Sequence, residues 1–349
     1  MDNITRYGAI NTKIHAMEGD FLKREDYKNM LGKSSVAEVI TYLKQNTVYG
    51  KMLYVQTEGI SRRVLEEALN KSMIARIDKL IHYFTGSYRE FIRTLYMKYE
   101  IEDLKILART IFNEERPEDI DKPLTFIGKY SRLDPNKILE ANSIRDLILS
   151  MDKTELFNEL KPVIDMKREN LFYFEMALDM GYFNILKKNW RKISENDRHV
   201  MEKWEGMVAD LYNVQWIYRG KKFYNLLPEE LLNYTINFGE KLSFSDRKQM
   251  CYIENLDDLY RMTANLGYGF LFNKENTRDI FMERRINRYI FYNLKTMSKK
   301  YQMSIIKTVA FIWFLEFEVR DIVSIIESIR YKIPAEQADK FLIKAVFEE

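Results

Sequence analysis

The stretch YEIEDLKILARTIFNEERPED, residues 99–119, reads as one helix with a hard stop. Leu104, Leu107, Ala108 and Ile111 fall at i, i+3, i+4 and i+7, the spacing of a single apolar stripe. Pro117 ends it, because proline lacks a backbone donor and clashes with the preceding turn. Similar text returns twice: NVQWIYRGKKFYNLLPEE from Asn213 and DIVSIIESIRYKIPAEQ from Asp321. Ile322, Ile325, Ile326 and Ile329 repeat the stripe, whereas Lys221 breaks it in the middle copy. Each segment ends in a proline followed two residues later by an acid, at Pro117, Pro228 and Pro334.

Other landmarks recur in the same order. A polar N-cap with an acid three residues on opens SVAEV at Ser35, SIRDL at Ser143 and NLDDL at Asn255. An aromatic follows, Tyr49, Phe157 or Tyr268, and the loops after these three are expected on one common face. Next comes E-x-x-[LI]-[ND]: Glu66 with Asn70, Glu175 with Asp179, Glu283 with Asn287. The glutamates stand 37, 38 and 38 residues before Asp103, Asn213 and Asp321. A period of about 110 residues is too long for a solenoid unit, so each copy is expected to be a small helical bundle. The expected boundaries are 1–116, 117–227 and 228–333, with a helix over 334–349 packing near the amino terminus. The simplest geometry is three units in a closed triangle.

Composition agrees with an all-α chain. Thirteen glycines and six prolines in 349 residues compare with roughly 24 and 17 at average usage, a deficit that long helices and short connections produce. Charged residues make up 31% and hydrophobic ones 46%, which suits amphipathic helices. Fifty-five basic against 52 acidic side chains give a net charge of +3, too balanced to argue for nucleic acid. The opening residues lack a signal-peptide layout, and the apolar run at 309–315 is too short for a bilayer, so no direct bilayer insertion is expected.

Catalytic and metal readings fare poorly. His15, His82 and His199 share no metal-ligand spacing with one another or with Cys251, which reads as a packed thiol. LGYGF at 266–270 lacks the third glycine of a dinucleotide loop and reads as a turn. No cofactor is expected. Glu66, Glu175 and Glu283 invite an acid–base reading, but their recurrence with an amide or acid one turn on favours polar groups that tie helices together. The basic-aromatic runs LKKNWRK (186–192) and ERRINRY (283–289) read as solvated faces or protein-docking patches rather than a nucleic-acid surface.

From end to end the chain resembles the C-subunit family of V-type and A-type ATP synthases, related to the d subunit of eukaryotic V-ATPases. The resemblance is carried by YGAINTKIHAM (7–17) with Tyr7, Asn11, Ile14, Ala16 and Met17, by YLKQNTVYG (42–50), and by FLEFEVRDIVSIIESIR (314–330) with Glu316, Glu318, Val319, Arg320, Asp321 and Ile322. His15 departs from a basic position, and Asn213 stands where the other copies have an acid. The resemblance implies three similar helical domains in a pseudo-threefold funnel around a central cavity. It further implies a non-catalytic socket at the cytoplasmic face of a membrane, seated on the proteolipid rotor ring, receiving the central shaft of the ATPase head and passing torque during proton or sodium-ion transport. The alternatives are a free-standing helical adaptor for another protein or RNA, and a helical hydrolase or transferase.

Overall fold

The computed structural model describes residues 3–53, 59–114, 124–127, 131–164, 171–272, 279–344 and 346; Pro117 lies outside them. All regular structure among the described residues is helical. The first expected repeat spans α1 (Asn3–Glu18), α2 (Arg24–Leu31), α3 (Val36–Asn46), α4 (Arg62–Ile81) and α5 (Gly86–Phe112). The second contains α6 (Pro135–Leu139), α7 (Ile144–Leu149), α8 (Glu155–Ile164), α9 (Leu171–Trp190) and α10 (Glu195–Lys222). The third contains α11 (Pro228–Asn233), α12 (Phe244–Tyr252), α13 (Leu256–Asn265), α14 (Asp279–Lys300) and α15 (Ile306–Arg330), and α16 (Ala335–Ala338) follows.

The three caps read from sequence form as hydrogen bonds. Ser35 accepts from the Glu38 N–H at 3.3 Å, Ser143 from Asp146 at 3.0 Å and Asn255 from Asp257 at 2.9 Å, starting α3, α7 and α13. After α3 and α13 the chain makes a 3₁₀ turn, Val48–Lys51 and Gly269–Leu271; after α7 it makes α8 instead. Hence Tyr49 and Tyr268 lie in tight turns, whereas Phe157 lies on a helix.

The closing helices α5, α10 and α15 share one terminal device. Glu114, Asn225 and Lys332 have φ of 61°, 49° and 53°, and they are the non-glycine residues with positive φ among those described. Each lies two or three residues beyond its helix, where a left-handed residue lets backbone N–H groups turn back onto the last carbonyls. The Ile333 N–H, for example, reaches the Ser328 carbonyl at 2.8 Å.

The chain forms two compact units, residues 84–198 with 229–237, and residues 1–83 with 199–228 and 238–349. In the smaller unit α5 packs along α9 and against α7, and α8 lies on α9. Leu104, Leu107 and Ala108 of α5 share a core with Ile144 and Leu147 of α7, Leu156 and Leu160 of α8, and Phe174 and Leu178 of α9.

In the larger unit α15 packs against α14 and also against α1, α2, α3, α4 and α16. Tyr218 of α10 meets Phe272, which follows the third copy's turn, at 5.3 Å. Trp204 and Trp313 meet edge to face at 5.9 Å. Trp190, Trp204 and Trp313 are buried and Trp216 is half-buried. Helix packing therefore crosses the proline junctions: a closing helix continues its core into the helices that follow it, and α15 does so with those at the start of the chain. After Pro334 the expected long helix is one turn, Ala335–Ala338, and a 3₁₀ turn, Asp339–Phe341. Leu342 after it is extended, and Arg24 Nε donates to the Val346 carbonyl at 2.7 Å.

Candidate functional site

Each closing helix carries one buried aspartate that grips backbone further along the chain. Asp103 accepts from the N–H groups of Thr125, Phe126 and Ile127 at 3.1, 2.6 and 2.8 Å. Asp210 accepts from Lys241 at 2.7 Å and Leu242 at 3.2 Å, and from the Tyr268 hydroxyl at 2.9 Å. Asp321 accepts from Ile343 at 2.6 Å and Lys344 at 3.1 Å. In every case the gripped segment follows the closing helix, so the carboxylate pins the incoming chain to the helix it has just left.

Burial raises the carboxyl pKa of all three, Asp321 to about 7, while the donated N–H groups act in the opposite sense. Glycine permits the middle clamp. A Cβ on Gly239 would run into the Asp210 carboxylate, and one on Gly206 would lie 2.8 Å from the Glu240 nitrogen.

Spacing in the sequence gives Asp103 and Asp321 equivalent places but puts Asn213 in the middle copy. The residue that makes the matching bonds is Asp210, one turn earlier; Asn213 is itself fully buried in α10. The available signal is the dipeptide: Asp103-Leu104, Asp210-Leu211 and Asp321-Ile322 each put an aliphatic residue after the acid.

Three residues before each clamp stand Glu100, Met207 and Glu318. Glu318 is fully buried and accepts from the Leu22 N–H at 2.7 Å and the Tyr49 hydroxyl at 3.1 Å, with buried Arg76 at 3.5 Å and Lys344 at 3.7 Å. Arg76 lies over the rings of Phe21 and Phe311, so α15 is tied to α4 by a paired buried charge. Glu100 has only weaker countercharge near it, and burial pushes its carboxyl up to about 7. Tyr49 and Tyr268 are thus internal anchors, while Phe157 packs half-buried on the core of the smaller unit.

The polar residues of E-x-x-[LI]-[ND] lie on α4, α9 and α14 and stay partly accessible, apart from buried Asn287. In the smaller unit Arg109 and Lys105 of α5 meet Glu175 and Asp179 of α9 at 2.6 and 2.7 Å. In the larger unit Arg62 meets Glu66 on its own helix at 2.7 Å and Glu327 of α15 at 3.6 Å. Arg320 of α15 meets Glu283 of α14 at 3.4 Å and Glu316 at 2.9 Å.

Glu66, Asn70, Glu283 and Asn287 all line one cleft of about 520 Å³ between α4, α14 and α15, over an apolar floor of Val319 and Val323. Carboxylates held by guanidinium groups are fixed acceptors suited to polar recognition. Among the described residues no group of three His, Cys, Asp or Glu side chains could hold a metal ion.

The basic run at 283–289 is committed internally. Arg284 donates to the Lys340 carbonyl, Arg285 to Leu271 at 3.0 Å, and Arg288 to Leu342 at 2.9 Å and Asp339 at 3.2 Å. Cys251 is buried, and burial pushes its thiol up to about 11. No helix among the described residues is long and apolar enough to cross a membrane.

Comparison with known proteins places these features in a wider set. The profile of the ATP synthase (C/AC39) subunit family matches residues 10–341. The C subunit of the A-type ATP synthase of Methanosphaera stadtmanae is 23% identical over 97% of this chain and 88% of its own length. The protein of the same description from Methanosarcina acetivorans is 21% identical over 91% of this chain and 87% of its own. The C subunit of the V-type ATP synthase of Deinococcus radiodurans is 26% identical over 51% of each.

Proposed function

The chain belongs to the ATP synthase (C/AC39) subunit family, and from that membership we propose that it is the non-catalytic socket of the central stalk in a rotary V/A-type ATPase or synthase. It links the central shaft of the soluble head to the proteolipid ring and transmits torque during proton or sodium-ion transport. Its three repeats, 1–116, 117–227 and 228–333, with 334–349 returning beside the amino terminus, form a pseudo-threefold, funnel-like arrangement around a central cavity. The protein is peripheral, on the cytoplasmic face of the membrane.

The observation that carries this reading is the aspartate clamp at 103, 210 and 321. A part that passes torque must not yield at its joints. Each clamp fixes the chain as it leaves one closing helix, with charge-assisted bonds stronger than ordinary amide pairs. Arg284, Arg285 and Arg288 each give a donor to a backbone carbonyl, which weighs against an RNA adaptor.

A detergent pull-down with the full-length chain tests the proposal. Proteolipid ring and shaft subunits should be recovered together, and recovery of the ring should fall between 0.05 and 0.5 M salt if rim charges dominate the contact. Capture of RNA or of unrelated proteins without ring or shaft would overturn the socket reading.

A further inference from the structure

One polar contact between α1 and α15 depends on a count of protons. Lys307 Nζ lies 2.8 Å from His15 Nε2, and His15 Nδ1 lies 3.1 Å from the Glu18 carboxylate. Lys307 is only 8% exposed, and among the described residues its side-chain nitrogen meets no other polar partner. Its place in the first turn of α15, where the helix dipole disfavours a cation, adds to its need for an acceptor. An ammonium donates and cannot accept, so Nε2 must offer its lone pair. The ring proton then sits on Nδ1, where the Glu18 carboxylate takes it. A neutral ring in one tautomer therefore completes the row Lys307–His15–Glu18.

A further proton undoes it. With the ring protonated, both facing nitrogens carry hydrogen and positive charge, across a distance that only a hydrogen bond permits. His15 can turn to water, because its side chain is 67% exposed. Lys307 is shielded, so it bears the cost of a buried cation left without an acceptor. The other charges around α1 bring no relief. Arg76 of α4 reaches the Met17 carbonyl at 3.4 Å and pairs with Glu318 of α15. Lys13 and Lys79, beside His82 in a separate cleft, bring positive charge and no acceptor.

The contact sits where it can act on the whole of α1. Asn11 Nδ2 donates to the Gln302 carbonyl at 2.8 Å, just ahead of α15, and Tyr7, Ile10 and Ile14 are fully buried. The helix is thus held at this edge by two polar contacts, one of them proton-dependent.

We propose that Lys307, His15 and Glu18 form an acid-sensitive latch, which fastens α1 to the start of α15 while the ring is neutral and loosens when the ring is protonated. The latch works within the single chain, independently of the socket reading.

The test compares the full-length chain with its His15→Gln and Lys307→Met variants by hydrogen exchange of the α1 amides at about pH 7.5 and about pH 5, the span over which imidazole changes charge. Opening constants are taken after correction for intrinsic exchange chemistry. Glutamine offers Lys307 an acceptor and takes up no proton; methionine keeps the length of the lysine and removes its charge. Glu100 and Asp321, whose carboxyls are raised to about 7, titrate in the same span but are common to all three chains. Acidification should raise the α1 opening constant about tenfold in the unsubstituted chain and less than about threefold in either variant, the size expected of two facing charges screened by water. The chain has three histidines, so the ring signals of His15 are those missing from the carbon spectrum of His15→Gln, and at neutral pH they should report a proton on Nδ1. No rise in the unsubstituted chain, an equal rise in His15→Gln, or a neutral ring protonated on Nε2 overturns the latch. Should Lys307→Met fail to fold, the comparison with His15→Gln still decides.

Discussion

Replacing Asp210 by alanine removes the acceptor shared by the Lys241 and Leu242 N–H groups and the Tyr268 hydroxyl. The three donors do not suffer equally. Lys241 is exposed, so water can take its N–H, whereas Leu242 and Tyr268 are buried and left without a partner. A stranded buried donor costs about 1–3 kcal/mol, so two put the loss near 4 kcal/mol, a large share of the 5–15 kcal/mol typical of a folded domain. Tyr268→Phe removes one donor but keeps the acceptor occupied, and should cost about 1 kcal/mol. Urea unfolding followed by tryptophan fluorescence is a suitable assay, because Trp204 and Trp313 report from the same unit. A loss below about 1 kcal/mol for Asp210→Ala, at unchanged m-value, would refute the idea that this carboxylate pins the chain.

Three further outcomes are expected. Glu100 has a folded-state carboxyl raised from 4.5 to about 7, so its stabilising contribution is complete below about pH 4.5 and is lost as pH rises through 7. The full swing is roughly 3 kcal/mol at 1.36 kcal/mol per unit; Glu100→Gln should remove it, and identical pH–stability curves for both proteins would contradict the assignment. Lys332→Gly should stabilise by up to about 1 kcal/mol by relieving a left-handed lysine, while Asn225→Gly gains less because asparagine tolerates that region; a lower denaturation midpoint for Lys332→Gly would argue against the cap. Glu318→Ala should cost about 3–5 kcal/mol by leaving Arg76 buried and uncompensated, and Arg76→Leu in a Glu318→Leu background should recover part of that loss.

The all-α class was legible because each element announces itself locally. Ser35, Ser143 and Asn255 carry cap chemistry in their own side chains, and the stripes Leu104–Ile111 and Ile322–Ile329 need only helical spacing. The clamp was half legible. Even spacing from the glutamates draws attention to Asn213, but the interval from Glu175 to the true equivalent, Asp210, is shorter than in the other copies. Only the backbone partners, more than twenty residues downstream, separate the two candidates.

The packing across Pro228 and Pro334 was hidden for a related reason. Proline marks where a helix must stop, and carries no information about which later helix its apolar stripe will meet. The left-handed caps at Glu114, Asn225 and Lys332 left no trace either, because only one of the three is a residue type that favours positive φ.

The central claim is mechanical, and coupling measures it most directly. In vesicles holding the complete rotary complex, and in matched vesicles lacking only this chain, ATP hydrolysis and ion uptake are recorded together. The account predicts that without the chain the head still hydrolyses ATP while uptake collapses, and that adding the chain back restores uptake. Uptake that persists at the same ratio to hydrolysis without the chain would contradict it.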